Sequence, residues 1–329
     1  MIRFSIAGRG VYRPRTQMPS TALDARFGRP EGSMEAEFGI ASRGVAAPDE
    51  TTSMMAVQAA RMALDSAGWA DGAFDALIGG CGVMEQPIPS TAILVQQGLG
   101  LGRSGIPAFD VNQTCLSFMA ALDVAAMGIA LGRWRRVLVF SSDIASAGLD
   151  PTNAKISAIF GDGAAAVAIK AGDGEAGLLA SRFESYGDGA HLATLRAGGT
   201  RLRVEEGYDA LVKGARFHMD AFGIFKAAAK RLPPLIDRVL ADAGVTRDDL
   251  TAVVCHQASG PGLAHLERMF APRPERVVNI FSTHGNQIAA SLPTALAHVL
   301  DTGRAGPGDV VLMLGTAAGI STGAMVLRL

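Results

Sequence analysis

The chain has 329 residues, 49% of them hydrophobic, and its 30 basic and 31 acidic residues leave a formal net charge of −1. This is enough apolar material for a large core in one or two domains. The charges are scattered without a basic run, which argues against a nucleic-acid-binding protein. No stretch approaches about 18 uninterrupted apolar residues, and the first residues lack the apolar region of a secretory signal, so we predict neither a membrane span nor a membrane partner.

The predicted elements fall into two successive sets along the chain. Short apolar runs that end at glycine or polar residues predict buried strands over 75–82, 107–111, 136–143 and 163–169, and again over 251–258, 276–281, 309–316 and 323–329. Alanine-rich segments predict helices over 51–67, 115–132, 216–243 and 286–301. Segments 16–50 and 171–215 contain breakers or many charges and are predicted to be loops, the second connecting the two sets.

The two sets of strands match each other in order, at offsets of 170 to 176 residues. Such steady spacing indicates an internal duplication. We therefore predict an α/β protein built from two βαβ-rich halves, residues 1–170 and 171–329, which share one core. The helices that begin at Cys115 and near Asn286 would be equivalent, and both would lie near the axis that relates the halves.

Three cysteines, Cys81, Cys115 and Cys255, lie far apart and outside any CxxC pair. This argues against a disulfide framework or a zinc site and favours a reducing cytoplasm. Cys115 is distinctive because it follows the strand-like FDV and the break NQT, where a helix begins. Free N–H groups and the positive end of the helix dipole would stabilise a thiolate there. A small, buried packing residue is an equal alternative.

Other segments offer polar groups with two interpretations each. His256 ends the strand-like TAVVCHQ, where α/β sheets bind ligands, or it is a hydrogen-bonded, half-buried histidine. Asn286 in STHGNQIAAS is an N-cap or a fixed amide donor, and His284 beside it would position the loop. Residues 316–319, TAAG, offer an oxyanion donor or form a plain turn.

The remaining motifs do not predict a nucleotide or metal site. FGDGAAAV at 160–167 lacks the glycine spacing of a phosphate-binding loop, and we expect Asp162 within it to tie a turn. The other histidines lack the HxxxH and HExxH spacings of metal sites.

Four motifs in this order, FDVNQTCLSFMAALDVA, FGDGAAAV, CHQA and HGNQIAASLPTAL, resemble the 3-oxoacyl-acyl-carrier-protein synthase III family of condensing enzymes. The resemblance runs from about Phe38 to the C-terminus and so covers most of the chain. It implies the thiolase fold, in which duplicated βαβ halves form a layered α-β-α-β-α architecture, and it implies a homodimer.

The resemblance also implies a Cys-His-Asn site. Cys115 corresponds to the nucleophile that is acylated, and its backbone N–H, with that of Ala318, would hold the oxyanion. His256 and Asn286 correspond to the pair that binds the thioester carbonyl of the second substrate. Ile88 corresponds to the residue that reaches across the dimer interface into the partner's acyl tunnel.

The implied reaction joins two thioesters without a metal or redox cofactor. An acyl-CoA would acylate Cys115 and release CoA. A malonyl thioester, on acyl carrier protein or CoA, would then lose CO2. Its enolate, stabilised by Asn286 and by a protonated or Nε2–H His256, would attack the acyl-cysteine and give a β-ketoacyl product.

Several positions depart from the family's pattern. Ala317 and Ala318 replace glycines, and Glu37 lies in a segment where the family has Arg-Thr-Gly-Ile. Ser259 follows HQA where a basic residue is expected. These departures favour a specialised synthase as much as a housekeeping one.

Three alternatives therefore stay open. The first is a Cys-dependent acyltransferase to an alcohol or amine. The second is a non-decarboxylative condensing enzyme, which would need an extra base such as Glu85. The third is a catalytically silent thiolase-like subunit, against which the intact trio Cys115, His256 and Asn286 argues.

Overall fold

The computed structural model describes residues 1–329. Thirteen strands cover β1 (Ile2–Tyr12), β2 (Thr16–Pro19), β3 (Ser42–Val45), β4 (Ala76–Gly79), β5 (Ala108–Asp110), β6 (Arg136–Asp143), β7 (Gly163–Ala171), β8 (Gly177–Ser185), β9 (Ala193–Thr194), β10 (His218–Met219), β11 (Leu250–Cys255), β12 (Val310–Ala317) and β13 (Ser321–Arg328). Eleven α-helices cover α1 (Ser20–Arg26), α2 (Ser33–Phe38), α3 (Thr52–Ala67), α4 (Thr91–Gly98), α5 (Ser117–Ala130), α6 (Ala154–Ile159), α7 (Tyr208–Gly214), α8 (Ala221–Ala243), α9 (Gly260–Met269), α10 (Phe281–His284) and α11 (Ser291–Asp301).

In the first half of the chain the strands lie in the order β5-β4-β6-β7-β1. Strands β5, β4 and β6 are parallel, whereas β7 and β1 are each antiparallel to their neighbours. The central strands are apolar on both faces because helices cover both. Ile78 and Val139 face one helical layer, and Leu77 and Leu138 face the other.

The second half repeats this order as β11-β12-β13-β8. Strands β11 and β12 are parallel, and β13 is antiparallel to both β12 and β8. Val277 forms an isolated parallel bridge to Val253 of β11, at the place that β5 occupies in the first half. The repeated order and direction confirm the duplicated architecture, and the first residues of β1 pair with β8 to join both halves in one sheet.

Three clusters of buried side chains define the layers. The central cluster packs α5 and α11 between the inner faces of the two halves of the sheet. A second cluster packs α8 and α9 on the outer face of the second half, and a third packs α3 and α4 on the outer face of the first. The order helix, sheet, helix, sheet, helix is the layered α-β-α-β-α arrangement that the resemblance implied.

The duplication extends to the turns that begin α5 and α11. Residues 112–117 read NQTCLS and residues 286–291 read NQIAAS. The third residue of each segment, Thr114 or Ile288, has a positive φ, of 49° and 52°. The asparagine that opens each segment accepts a hydrogen bond from that residue's N–H, at 3.1 and 2.9 Å. The closing serine donates to the same residue's carbonyl, at 2.7 Å in both.

Some predicted elements were wrong. Segment 171–215, predicted to be a loop, contains β8, which is only half-buried and therefore lacks a continuous apolar run. Segment 16–50, also predicted to be a loop, contains β2, α1, α2 and β3. Residues 276–281, predicted to be a strand, make only the Val277 bridge, because the Asn279 side chain accepts from the N–H of Phe281 and α10 begins there.

The boundary between residues 170 and 171 stays a prediction; β7 ends at Ala171. None of the helices combines the length and the apolar character that crossing a membrane requires.

Gly10 in β1 lies against α3, and a Cβ atom there would lie 2.2 Å from the carbonyl oxygen of Ala59. The clash is with helix backbone and cannot be relieved by a side-chain rotation. We expect Gly10→Ala to lower the free energy of unfolding by about 3 kcal/mol in urea denaturation. Gly102→Ala is the matched control, because nothing lies within 4 Å of its added Cβ, and it should change stability by less than about 0.5 kcal/mol. Equal stabilities of the two variants would contradict this packing.

Candidate active site

Cys115 lies in a single 3-10 turn, Thr114–Leu116, immediately before α5. Thr114 holds a left-handed backbone, which a β-branched residue rarely adopts and which the surrounding structure must stabilise. The N–H of Thr114 donates to the Asn112 side chain, and its carbonyl accepts from the Ser117 hydroxyl. These two hydrogen bonds provide that support. The thiol is thereby presented at the helix's positive end, as the sequence predicted.

Two backbone N–H groups approach the Cys115 sulfur. One belongs to Cys115 itself and the other to Ala318, which follows β12. These are the two groups that the resemblance implied as oxyanion donors. The structure therefore brings the predicted donors to the predicted nucleophile, which is only partly exposed.

The Cys115 thiol is protonated at neutral pH. Burial, and secondarily the charge of Asp143, raise the pKa of Cys115 to about 12, while the N–H groups of Ala318 and Cys115 act in the opposite direction. A thiol in this state reacts only if its proton is accepted as the sulfur attacks.

His256 directly follows β11 and is 6% exposed. Its Nδ1 lies 2.8 Å from Oγ of Ser291, and that hydroxyl donates to the carbonyl of Ile288 at 2.7 Å. Because the hydroxyl proton is already used, the network assigns the Nδ1–H tautomer, which leaves Nε2 as an acceptor. Burial lowers the pKa of His256 to about 4, so the imidazole is neutral at pH 7.

Asn286 is held in a turn that the first half of the chain supports. Its Oδ1 accepts from the N–H of Ile288 and its Nδ2 donates to the carbonyl of Ala258 at 3.3 Å, which leaves one amide N–H for another partner. Its backbone N–H donates to Ile159 and its carbonyl accepts from Gly161. The FGDG motif thus has a role that its own sequence does not suggest: it anchors the Asn286 turn.

Two glycines allow these turns to converge. A Cβ on Gly315 of β12 would lie 2.9 Å from Cβ of His256 and 3.0 Å from Leu116, the neighbour of Cys115. A Cβ on Gly82 would lie 2.3 Å from Ile288 and 3.2 Å from the carbonyl oxygen of Thr114. The segments that carry the predicted cysteine, histidine and asparagine therefore adjoin one another at the centre of the molecule.

Asp143, the last residue of β6, is fully buried beside this site. Its carboxylate accepts hydrogen bonds from the N–H groups of Val83 and Ala290, at 2.8 and 3.0 Å. Asp143 is not among the residues that the sequence predicted for the site. The available signal was a lone acidic residue at the end of the otherwise uncharged, buried run VLVFSSD.

The other residues named from the sequence either lie outside the site or have structural roles. Ile88 is 86% exposed and therefore does not contribute to the core of its own chain. Glu85 accepts from the N–H of Ser53 at 2.5 Å, so its carboxylate caps the start of α3. Glu37 forms an ion pair with Arg29. Asp162 ties a turn, as predicted, through bonds from the N–H groups of Ala46 and Ser146.

Cys255 and His284 both have structural roles. Cys255 packs in the outer cluster of the second half, as alternation along β11 predicted. His284 hydrogen-bonds Thr283 and the carbonyl of Ile280, and burial lowers the pKa of His284 to about 4. It therefore supports the loop, as the sequence suggested. No group of three or more potential ligands is close enough to hold a metal ion.

The buried imidazole of His256 should make folding stability depend on pH. Its folded pKa of about 4 lies below the ordinary value of 6.5, so the unfolded chain binds a proton that the folded chain does not. Its contribution is complete above about pH 6.5 and is lost as the pH falls toward 4. Between about pH 6 and pH 5 we expect wild type to lose about 1 kcal/mol more stability than His256→Gln, measured by urea denaturation.

Comparing the two proteins cancels the contributions of every other titrating group. Parallel pH curves for wild type and His256→Gln would contradict a neutral, buried imidazole.

Two family models match the chain, both describing 3-oxoacyl-[acyl-carrier-protein] synthase III. One covers residues 109–191, and the C-terminal model covers residues 240–329. A Beta-ketoacyl-[acyl-carrier-protein] synthase III of Neisseria meningitidis serogroup C is 34% identical over 98% of each chain.

Solved structures agree with this assignment. The 3-oxoacyl-[acyl-carrier-protein] synthase III of Aquifex aeolicus VF5 has a TM-score of 0.89 and 29% identity, covering 99% of this chain and 100% of its own. The priming beta-ketosynthase from the R1128 polyketide biosynthetic pathway has a TM-score of 0.88 and 27% identity, covering 99% and 96%. The chain belongs to the 3-oxoacyl-acyl-carrier-protein synthase III family.

Proposed function

We propose that this chain is a condensing enzyme that forms a carbon–carbon bond between an acyl group and a malonyl unit and releases a β-ketoacyl thioester. The observation that carries the proposal is the Cys115 thiol, faced by two backbone N–H groups and adjoined by the His256 and Asn286 turns. The printed names of the relatives, beta-ketoacyl synthases of type III, support the same reaction.

In the first step Cys115 attacks the carbonyl of an acyl-CoA. The thiol proton passes to Nε2 of His256, which the Ser291 network leaves as an acceptor, and then to the departing CoA thiolate. The N–H groups of Cys115 and Ala318 stabilise the oxyanion of the tetrahedral intermediate. The products are acyl-cysteine and CoA thiol, and His256 is again neutral.

In the second step a malonyl thioester loses CO2, and two N–H donors must stabilise its enolate oxygen. The free amide N–H of Asn286 is one donor. For His256 to be the other, it must gain a proton at Nε2. Full protonation at pH 7 would cost about 4 kcal/mol, given the pKa of His256 of about 4. Rotating the Ser291 hydroxyl so that it donates to Nδ1 costs about one hydrogen bond, about 1 kcal/mol.

The neutral Nε2–H tautomer is therefore the donor in our proposal, rather than an imidazolium. The enolate carbon attacks the acyl carbonyl, the Cys115 thiolate leaves, and solvent returns its proton. The carbon–carbon bond replaces the bond to the lost carboxylate, so the residues and the two thioesters account for every step. We propose that no metal or redox cofactor takes part.

The alternatives receive less support from the contacts. A non-decarboxylative condensation needs a base, and the Glu85 carboxylate is already bound to the start of α3. A silent subunit would not need the strained Thr114 backbone and the two N–H groups on the Cys115 sulfur. Acyl transfer to an alcohol or amine is separated from condensation by the experiment below. The choice of acyl-CoA, of the malonyl carrier and of pathway, and the cytoplasmic location, stay predictions.

The test follows both steps on one protein. Mass spectrometry after mixing with a panel of acyl-CoAs should show an acyl adduct that is absent in Cys115→Ala. Release of labelled CO2 from malonyl-CoA or malonyl-carrier should then fall by about a hundredfold in Asn286→Ala, because one enolate donor is lost. Acylation of Asn286→Ala should stay within about threefold of wild type, because the amide does not act in the first step.

No adduct with any donor would contradict the enzyme assignment. An adduct without CO2 release, combined with transfer to an alcohol or amine, would favour the acyltransferase. Normal condensation by Asn286→Ala would remove the role proposed for its amide.

We also propose that the enzyme is a homodimer in which Ile88 closes the partner's acyl tunnel. Ile88 is an apolar side chain that is 86% exposed, and its neighbours Met84 and Ile93 are 49% and 40% exposed. A cluster of exposed apolar side chains on one segment is typical of an interface. The family resemblance supports the same contact.

Ile88→Trp should shorten the tunnel and reduce acylation by long-chain acyl-CoA relative to acetyl-CoA by about tenfold, with mass spectrometry as the readout. A mixed dimer shows whether the tunnel is closed by Ile88 of the same chain or by Ile88 of the partner. When an Ile88→Trp chain is paired with a Cys115→Ala chain, the one active cysteine faces a native Ile88, and the chain-length preference should return to that of wild type. Leu131→Trp, at another site that is 83% exposed, is the matched control. An unrestored preference in the mixed dimer would place Ile88 in the tunnel of its own chain.

A further inference from the structure

Asp143 is a fully buried carboxylate that connects three parts of the molecule. It extends from the end of β6 in the first half. One oxygen accepts from the N–H of Val83, which begins the segment that leads to Ile88. The other accepts from the N–H of Ala290, in the turn before α11 of the second half. It is thus bonded to a group on each side of the proposed site.

The contact to Ala290 leads directly to the enolate-binding residues. Ala290 lies between Ile288, whose N–H donates to Asn286, and Ser291, whose hydroxyl contacts His256. A shift of this turn would move both side chains together. No other side chain is bonded to the Ala290 N–H, which otherwise donates only to the backbone carbonyl of Gln287.

The two halves differ at this point. Asp143 is the last residue of β6, and the last residue of the equivalent strand β12 is Ala317. The start of α11 therefore receives a carboxylate from the first half, whereas β12 contains no acidic residue that could do the same for the start of α5. A carboxylate at a helix N-terminus compensates the positive end of the dipole.

We propose that Asp143 is a positioning residue with two effects on the reaction. Its carboxylate occupies the positive end of α11 and holds the turn that places Asn286 and His256, so that the end of α5 alone is left for the substrate's oxyanion. Its negative charge also adds to the penalty that burial places on the Cys115 thiolate, and so helps to keep the thiol protonated until an acyl donor binds. This inference rests on the proposed function.

The position of Asp143 beside the Cys115 turn supports the second effect. A Cβ atom on Gly82 would lie 3.4 Å from Oδ1 of Asp143 and 3.2 Å from the carbonyl oxygen of Thr114, so this glycine lies between the carboxylate and the turn that carries Cys115. Burial raises the pKa of the Cys115 and Cys81 thiols, and the charge of Asp143 raises both further. Burial raises the pKa of Asp143 itself to about 7, against the hydrogen bonds from Val83, Ala290, Gly82 and Ser141. A carboxylate without a cationic partner in this position is costly, which argues for a function beyond packing.

The test compares Asp143→Asn with wild type in three measurements. Because Asn presents an N–H₂ group to one of the two backbone N–H groups, it breaks one contact without changing side-chain size. We expect CO2 release from the malonyl thioester to fall by about tenfold. We expect the pH midpoint for alkylation of Cys115 by iodoacetamide, followed by peptide mass spectrometry, to move down by about one unit. Acylation by acyl-CoA should fall by a smaller factor than CO2 release, because His256 acts in both steps whereas Asn286 acts only in the second.

Asp143→Glu separates the two effects, because it keeps the charge and displaces the carboxylate by one methylene group. It should keep the wild-type alkylation midpoint while losing CO2 release. Asp24→Asn is the matched control: Asp24, in α1, is also buried and bonded to two backbone N–H groups, but these belong to Gly32 and Met34. It should keep both the wild-type midpoint and the ratio of CO2 release to acylation.

An unchanged midpoint and unchanged CO2 release in Asp143→Asn would overturn the inference. So would proportional losses of acylation and CO2 release, or a failure of both Asp143 variants to fold while Asp24→Asn folds, since either result would assign Asp143 a role in stability alone. Failure of the proposed function is distinguishable, because wild type itself would then form no acyl adduct or release no CO2.

Discussion

Two helix N-termini meet at the centre of this protein, and the compensation of their positive ends is the constraint on which the site depends. The turns before α5 and α11 contact each other across the two halves. Both contain a residue at positive φ, fixed by an asparagine and a serine, so duplication alone would have produced two equivalent ends. Asp143 contacts one of them, and the Cys115 sulfur lies at the other. This difference makes a symmetric scaffold into an asymmetric site.

The rest of the fold holds those two turns in place. Layers of helices cover both faces of the sheet, so that α5 and α11 are buried between its two halves and cannot rotate independently. Glycines 82 and 315 permit the close approach, because any side chain there would overlap the neighbouring turn. Gly161 of the FGDG motif and Ile159 just before the motif anchor the Asn286 turn through backbone hydrogen bonds. Residues that lie far apart along the chain therefore hold the same two turns in place.

Before a substrate binds, the thiol and the imidazole of the site are uncharged. The Cys115 thiol and the His256 imidazole are both neutral, because burial penalises either charge and Asp143 adds to the penalty on the thiolate. A preformed thiolate–imidazolium pair is thus disfavoured. Charge would develop only when a bound thioester offers its carbonyl to the two backbone N–H groups. Ser291, which can donate to or accept from Nδ1, would then decide whether His256 accepts or donates a proton at Nε2.

The sequence by itself determined the α/β class, the internal repeat and the place of Cys115 at a helix start, because these follow from apolar periodicity and from which residues begin helices. The NQTCLS and NQIAAS segments share three of six residues, the asparagine, the glutamine and the serine, at the same positions. The roles that we propose for His256 and Asn286 came from the family resemblance. Only the tertiary structure decided the tautomer of His256, the position of β8 within the central sheet and the burial of Asp143. Each of these depends on contacts between residues far apart along the chain, and no local pattern of residues records such contacts.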